Sequence, residues 1–177
     1  FYYLKKMNQA KFKKYKKAVF FDRDGVINKD IGYLHKKEDF EWIDGAVEAI
    51  SLLKKKKYLV IVVSNQSGVE RGYYKIEDVN KLHTWINNEL KRFKTCIDDF
   101  FFSTELPSNS SVRRKPSPQM LIEAIEKYDL DREKCFMVGD KNSDIKCAKN
   151  AKIKGFLFEG RNLLDKIEEI LKELKIS

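Results

Sequence analysis

Residues 58–64 read YLVIVVS. An apolar, β-branched run with no polar interruption suits a strand covered on both faces, a situation that arises in parallel sheets flanked by helices. The rest of the chain agrees. KAVFF (17–21), IDDFFFS (97–103), KCFMVGD (134–140) and KGFLFE (154–159) read as four further strands. Helical patterns lie between them. In DGAVEAISLLKKK (44–56), Asp44 is the expected N-cap, with Ala46, Ala49, Ile50 and Leu53 on one face. In IEDVNKLHTWINNELKRF (76–93), Val79, Leu82, Ile86, Leu90 and Phe93 are expected to face inward. In PSPQMLIEAIEKY (116–128), Ser117 is the expected N-cap and Pro118 the first helical residue. SDIKCAKNA (143–151) and NLLDKIEEILKEL (162–174) complete the set. Strands separated by helices predict an α/β fold, a Rossmann-like doubly wound parallel sheet with helices on both faces.

Charge is uneven. Of a net +9, residues 1–17 supply seven lysines against no acid, which leaves +2 for the remainder. The reading is therefore a basic leader, 1–17, before one domain, 18–177. Met7 is a candidate native start within that leader. No apolar run approaches the roughly 20 residues of a membrane span, and the basic start lacks the apolar stretch of a signal peptide. A cytoplasmic protein is expected. Cys96, Cys135 and Cys147 are odd in number and have no paired spacing, so they are expected to be reduced thiols.

In open α/β sheets, ligands bind beyond the carboxyl ends of the strands. Four polar signals occupy that region: Asp22-Arg23-Asp24-Gly25, Ser64-Asn65-Gln66-Ser67-Gly68, Arg113-Arg114-Lys115-Pro116, and Gly139-Asp140-Lys141 with Asp144 one helical turn on. The carboxylates of Asp22, Asp24 and Asp140 can share a hard divalent cation such as Mg²⁺, which takes oxygen ligands. Ser64 and Lys115 can cradle phosphoryl oxygens. One aspartate can attack phosphorus while another serves as general acid and then base. A calcium loop counted from Asp22 is unsuitable, because its sixth position is Ile27 where glycine is needed.

These four motifs resemble those of the haloacid dehalogenase superfamily of phosphatases. Within it, DRDGVIN, SNQSGVERGYY, RRKPSPQM and MVGDKNSDI closely resemble the D-glycero-D-manno-heptose 1,7-bisphosphate phosphatases and the related histidinol-phosphatase branch. The resemblance implies Asp22 as nucleophile and Asp24 as acid/base. It implies Mg²⁺ held by Asp22, the Asp24 backbone carbonyl and Asp140, with Ser64 and Lys115 on the phosphoryl group. Arg114, Asp30, Ile31, Gly32, Tyr33, Asn65, Gln66, Ser67 and Lys141 match positions near the substrate. The implied substrate is a small sugar phosphate in activated-heptose synthesis. Alternatives on the same scaffold are histidinol phosphate and the 3′-phosphate of a polynucleotide, to which the basic leader gives slight weight; a catalytically silent module is a third. By analogy a monomer is expected, with no membrane or nucleic-acid partner.

One departure stands out. Many members carry a structural zinc loop of cysteines and histidine before the Arg-Lys pair. Here that stretch, FFSTELPSNSSVRRKP (101–116), has neither residue type, so no zinc is expected. The intervals between motifs are too short for a large cap domain. An open site, covered only by loops 28–42 and 103–114, is expected. Trp42 and Trp85 are expected to pack, and His35 and His83 to be surface or partly buried and not catalytic.

Overall fold

The computed structural model describes residues 17–108 and 110–175; the leader, apart from Lys17, lies outside them. Five strands, β1 (Ala18–Phe21), β2 (Leu59–Asn65), β3 (Asp99–Ser103), β4 (Phe136–Gly139) and β5 (Lys154–Leu157), form one sheet in the order β3-β2-β1-β4-β5. Every pairing is parallel. Helices α1 (Ala46–Lys55), α2 (Ile76–Arg92), α3 (Gln119–Tyr128), α4 (Asn142–Asn150) and α5 (Leu163–Glu173) connect and follow the strands.

The period of two along each strand sorts the core into two layers. Val19, Phe21, Val60 and Val62 point to one face and pack with Ile50 and Leu53 of α1, Leu82, Ile86 and Leu90 of α2, and Ile167 and Ile170 of α5. Ala18, Phe20, Ile61, Val63 and Met137 point to the other, with Met120, Leu121 and Ala124 of α3 and Cys147 and Ala148 of α4. The uninterrupted apolar strands follow from this double cover.

The chain runs outward from β1 to β2 and β3, then returns to the other side of β1 for β4 and β5. The order reverses between β1 and β4, the kind of switch point where a crevice opens. Register aligns the strand ends there: Phe21 is level with Val62 and Val138, so Asp22 emerges beside Val63 and Gly139.

Four local expectations need correction. The N-cap of α1 is Gly45, at φ 74°, rather than Asp44. A Cβ on Gly45 would lie 2.2 Å from Asn162 Oδ1, so close approach of the α5 N-terminus dictates glycine there. Pro118, not Ser117, caps α3, although Ser117 Oγ still accepts from the Gln119 amide at 3.3 Å. Phe93 lies just past the end of α2 and is 58% exposed, because the chain leaves helical geometry before that side chain can turn inward. Trp42 and Trp85 pack against the core as expected, whereas His83 is fully in the interior.

Candidate active site

The site begins at the end of β1. The Asp22 amide continues the ladder by donating to Val138 O at 3.1 Å, which fixes its carboxylate at the crevice floor. Lys115 comes from the loop before α3 and is buried. Its Nζ lies 2.8 Å from Asp22 Oδ1 and 2.7 Å from Asp144 Oδ1, and donates to Val63 O at 2.8 Å. The ammonium is therefore enclosed by two carboxylates and a carbonyl. Burial alone would push the Lys115 ammonium down, but the two carboxylates outweigh it and hold it above the usual lysine value. The Lys115 main chain is held independently: its amide donates to Asn65 Oδ1 at 3.0 Å, and Asn65 Nδ2 donates to its carbonyl at 3.2 Å.

Asp24 is held differently. Arg23, wholly buried between the two aspartates, donates from Nε and Nη2 to its carboxylate at 3.0–3.1 Å. Asn28 Nδ2 donates to Oδ1 at 2.9 Å and Gln66 Nε2 to Oδ2 at 3.0 Å. Gln66 Nε2 also donates to Ser64 Oγ at 2.7 Å, and Tyr74 OH donates to Gln66 Oε1 at 2.8 Å. The carboxylate thus has one orientation, imposed from three sides.

A cleft of about 400 Å³ lies above, lined by Asp22, Asp24, Lys115 and Asp144 and, toward its rim, by Asp30, Tyr33, Arg114 and Lys141. Lys141 Nζ donates to Asp30 Oδ2 at 3.0 Å, tying the 28–35 loop to the end of β4. The Tyr33 ring meets Tyr73 edge-on, with centroids 4.8 Å apart. A carboxylate beside a buried ammonium, with a second oriented carboxylate two residues on, is suited to displacement at phosphorus.

Comparison with known proteins places this site in a family. The HAD-hydrolase-like family model matches residues 112–162. A D-glycero-β-D-manno-heptose-1,7-bisphosphate 7-phosphatase of Helicobacter pylori strain J99 is 38% identical over 149 residues, covering 84% of this chain and 86% of that protein. The chain belongs to the heptose-1,7-bisphosphate 7-phosphatase family of haloacid dehalogenase-like hydrolases. A Photorhabdus laumondii member named for the α-anomer is 40% identical over 144 residues, 77% of this chain and 79% of that one. Among solved structures, the D,D-heptose 1,7-bisphosphate phosphatase of B. bronchiseptica, complexed with magnesium and phosphate, superposes with a TM-score of 0.79 at 26% identity, covering 89% of this chain and 99% of that chain.

Within this family member, Asp22, Asp140 and Asp144 bring carboxylate oxygens within 4.8 Å of one another. Lys115 is paired into that group through both Asp22 and Asp144, and Lys141 Nζ lies 3.9 Å from Asp140 Oδ2. Burial raises the Asp22 carboxyl, and burial with the Asp22 charge pushes Asp140 up to about 6. Asp140 Oδ1 is buried with no hydrogen-bond partner. A buried excess of negative charge with an orphaned oxygen fits a divalent cation. Asp24 stands apart from this cluster by its side chain, which is committed to Arg23, Asn28 and Gln66.

Of the substrate positions expected from sequence, Asp30, Gly32, Tyr33, Asn65, Gln66, Ser67, Arg114 and Lys141 line the cleft, whereas Ile31 turns outward and is 57% exposed. Ser64 is buried behind the Gln66 amide it accepts from. Sequence reasoning passed over Tyr74 and Ser143, which also line the cleft. It noted Asp144 but assigned it no role. Its signal was its place at the third position of α4, where its Oδ2 accepts from the Lys141 amide at 3.1 Å.

Proposed function

We propose that this chain is an Mg²⁺-dependent phosphatase that removes the 7-phosphate of D-glycero-D-manno-heptose 1,7-bisphosphate, leaving the heptose 1-phosphate. The observation that carries this reading is the Asp22 carboxylate on the cleft floor, 2.8 Å from the buried Lys115 ammonium, with Asp24 oriented beside it. An Asp22 oxygen attacks phosphorus and the bond to the sugar oxygen breaks, giving an aspartyl-phosphate. Asp24 gives its proton to the departing alkoxide, then takes one from the water that hydrolyses the acyl phosphate, so that both carboxyl groups return to their starting states. Lys115 stabilises the phosphoryl oxygens, and Ser64 orients the Gln66 amide that covers it. Asp22, the Asp24 carbonyl and Asp140, with Asp144 alongside, would hold Mg²⁺, which supplies charge neutralisation of the phosphoryl group. Arg114, Lys141, Asp30 and Tyr33 at the rim recognise the rest of the sugar phosphate.

The relatives described above favour the heptose bisphosphate over histidinol phosphate and over nucleic-acid 3′-phosphates. Among the described residues no helix is long and apolar enough to cross a membrane, and a small charged sugar substrate suits the cytoplasm. The test is phosphate release with Mg²⁺ from both heptose 1,7-bisphosphate anomers, histidinol phosphate and a 3′-phosphorylated oligonucleotide. A heptose anomer should be strongly preferred. Asp22→Asn should abolish turnover while leaving the melting curve in place; an active variant would refute Asp22 as nucleophile.

A further inference from the structure

The loop 104–114, between β3 and Lys115, is tied to a single carboxylate. Glu105 Oε2 accepts from the amides of Arg113 and Arg114, each at 2.7 Å, and from Ser103 Oγ at 3.2 Å. Glu105 Oε1 accepts from the Val112 amide at 3.1 Å. Three consecutive amides thus converge on one charged group, and these bonds hold the Glu105 carboxyl below its usual value. The Leu106 amide is taken up separately by Glu70 Oε2 at 3.0 Å.

This arrangement separates two adjacent arginines. The Arg113 guanidinium turns away from the cleft, pairing with Glu123 at 2.7 Å and donating to Phe102 O. Arg114 lines the cleft. Its Nη1 donates to the Glu105 carbonyl at 3.1 Å, and it has no carboxylate ion pair among the described residues. Burial and the nearby positive charge of Arg71 both disfavour its cationic form, so an anion arriving there is welcome. The three amide bonds to the Glu105 carboxylate, with the Arg113–Glu123 pair, set which arginine faces the cleft.

We propose that Glu105 is a positioning residue for substrate specificity: its carboxylate fixes the 112–114 backbone so that Arg114, rather than Arg113, meets the second, non-reacting phosphate of a sugar bisphosphate. This rests on the bisphosphatase reading above. Lys115 follows directly in sequence but is clamped on its own by Asn65 and by Asp22 and Asp144. The effect of Glu105 therefore falls on binding and not on the chemical step.

The experiment is steady-state kinetics of wild type, Glu105→Gln, Arg114→Ala and the double variant on the heptose 1,7-bisphosphate with Mg²⁺, with melting temperatures recorded for each. Glu105→Gln should raise KM about tenfold, the scale of one lost charge-assisted contact, with kcat changed by no more than about twofold. In the Arg114→Ala background the same change should add nothing further. If Glu105→Gln lowers kcat at constant KM, or its penalty simply adds to that of Arg114→Ala, Glu105 is a structural brace and the inference falls while the phosphatase reading stands. If wild type releases no phosphate from the bisphosphate, the phosphatase reading fails and takes the inference with it. Should Glu105→Gln not fold, Glu105→Asp, which keeps the charge but shortens its reach, must show the same KM-only change or the inference is overturned.

Discussion

Arg23 holds Asp24 only because it is itself held, and His83 is part of that support. The Arg23 guanidinium donates to Leu34 O at 2.7 Å and reaches His83 Nε2 at 3.4 Å. His83 stacks on Phe100 and meets Phe102 edge-on. Burial first, and the Arg23 charge second, pull the His83 pKa from 6.5 to about 3. A neutral imidazole can accept from the guanidinium, whereas a protonated one would face it as a buried like charge. Because the folded value lies below the unfolded one, the unfolded chain binds the extra proton between them, and stability is lost as pH falls through that window. From about pH 7 to about pH 4.5 this single group should cost roughly 2–3 kcal/mol. His83→Gln keeps an acceptor for Arg23 without a titrating ring. Urea unfolding of both proteins across that range should show the variant with the shallower pH dependence by about that amount; parallel curves would mean that His83 is not buried in the neutral form.

At the scale of elements, the β4–α4 turn brings the site together. A Cβ added to Gly139 would stand 2.2 Å from Asp144 Cβ, so the last residue of β4 must be glycine for α4 to deliver Asp144 to Lys115. Gly139→Ala should displace that aspartate, cost about 1–3 kcal/mol through overpacking, and lower kcat more than the lost stability explains. The check is turnover measured well below the variant's melting temperature; normal kcat there would show that α4 shifts without moving Asp144. The strands were legible in sequence because burial on both faces leaves only apolar residues, as in YLVIVVS, and strand ends then expose the polar motifs. Asp22, Asp24, Lys115 and Asp140 could be read for that reason. Tyr74 could not: an aromatic at that spacing signals packing, and only the fold shows its hydroxyl on Gln66. Glu105 was equally silent, since its role depends on amides seven to nine residues away meeting it in space. The cap position of α1 was displaced by one residue because approach of a neighbouring helix, not side-chain capping preference, sets the boundary at Gly45.

For the whole molecule, the cost of the site is concentrated where the sheet order reverses. β1 contributes Asp22, β4 is followed by Asp140, and α4 carries Asp144, so the topology itself crowds three carboxylates together. Two ammonium groups, Lys115 between Asp22 and Asp144 and Lys141 at 3.9 Å from Asp140 Oδ2, cannot neutralise three acids. In the metal-free protein the surplus repulsion opposes folding, and a bound divalent cation reverses its sign. Asp140 is the member to remove, because its buried Oδ1 has no hydrogen-bond partner among the described residues, it makes no bond to Lys115, and its ion pair with Lys141 is long at 3.9 Å. Asp140→Asn should therefore melt higher than wild type in EDTA at neutral pH, by about 2–4 °C for each kcal/mol of repulsion relieved. Added Mg²⁺ should raise the wild-type melting temperature and leave the variant nearly unmoved, and phosphate release by the variant should be lost. If Asp140→Asn melts lower than wild type without metal, the carboxylate is stabilising the fold by itself, and the crowding at the switch point is not held in place for a cation.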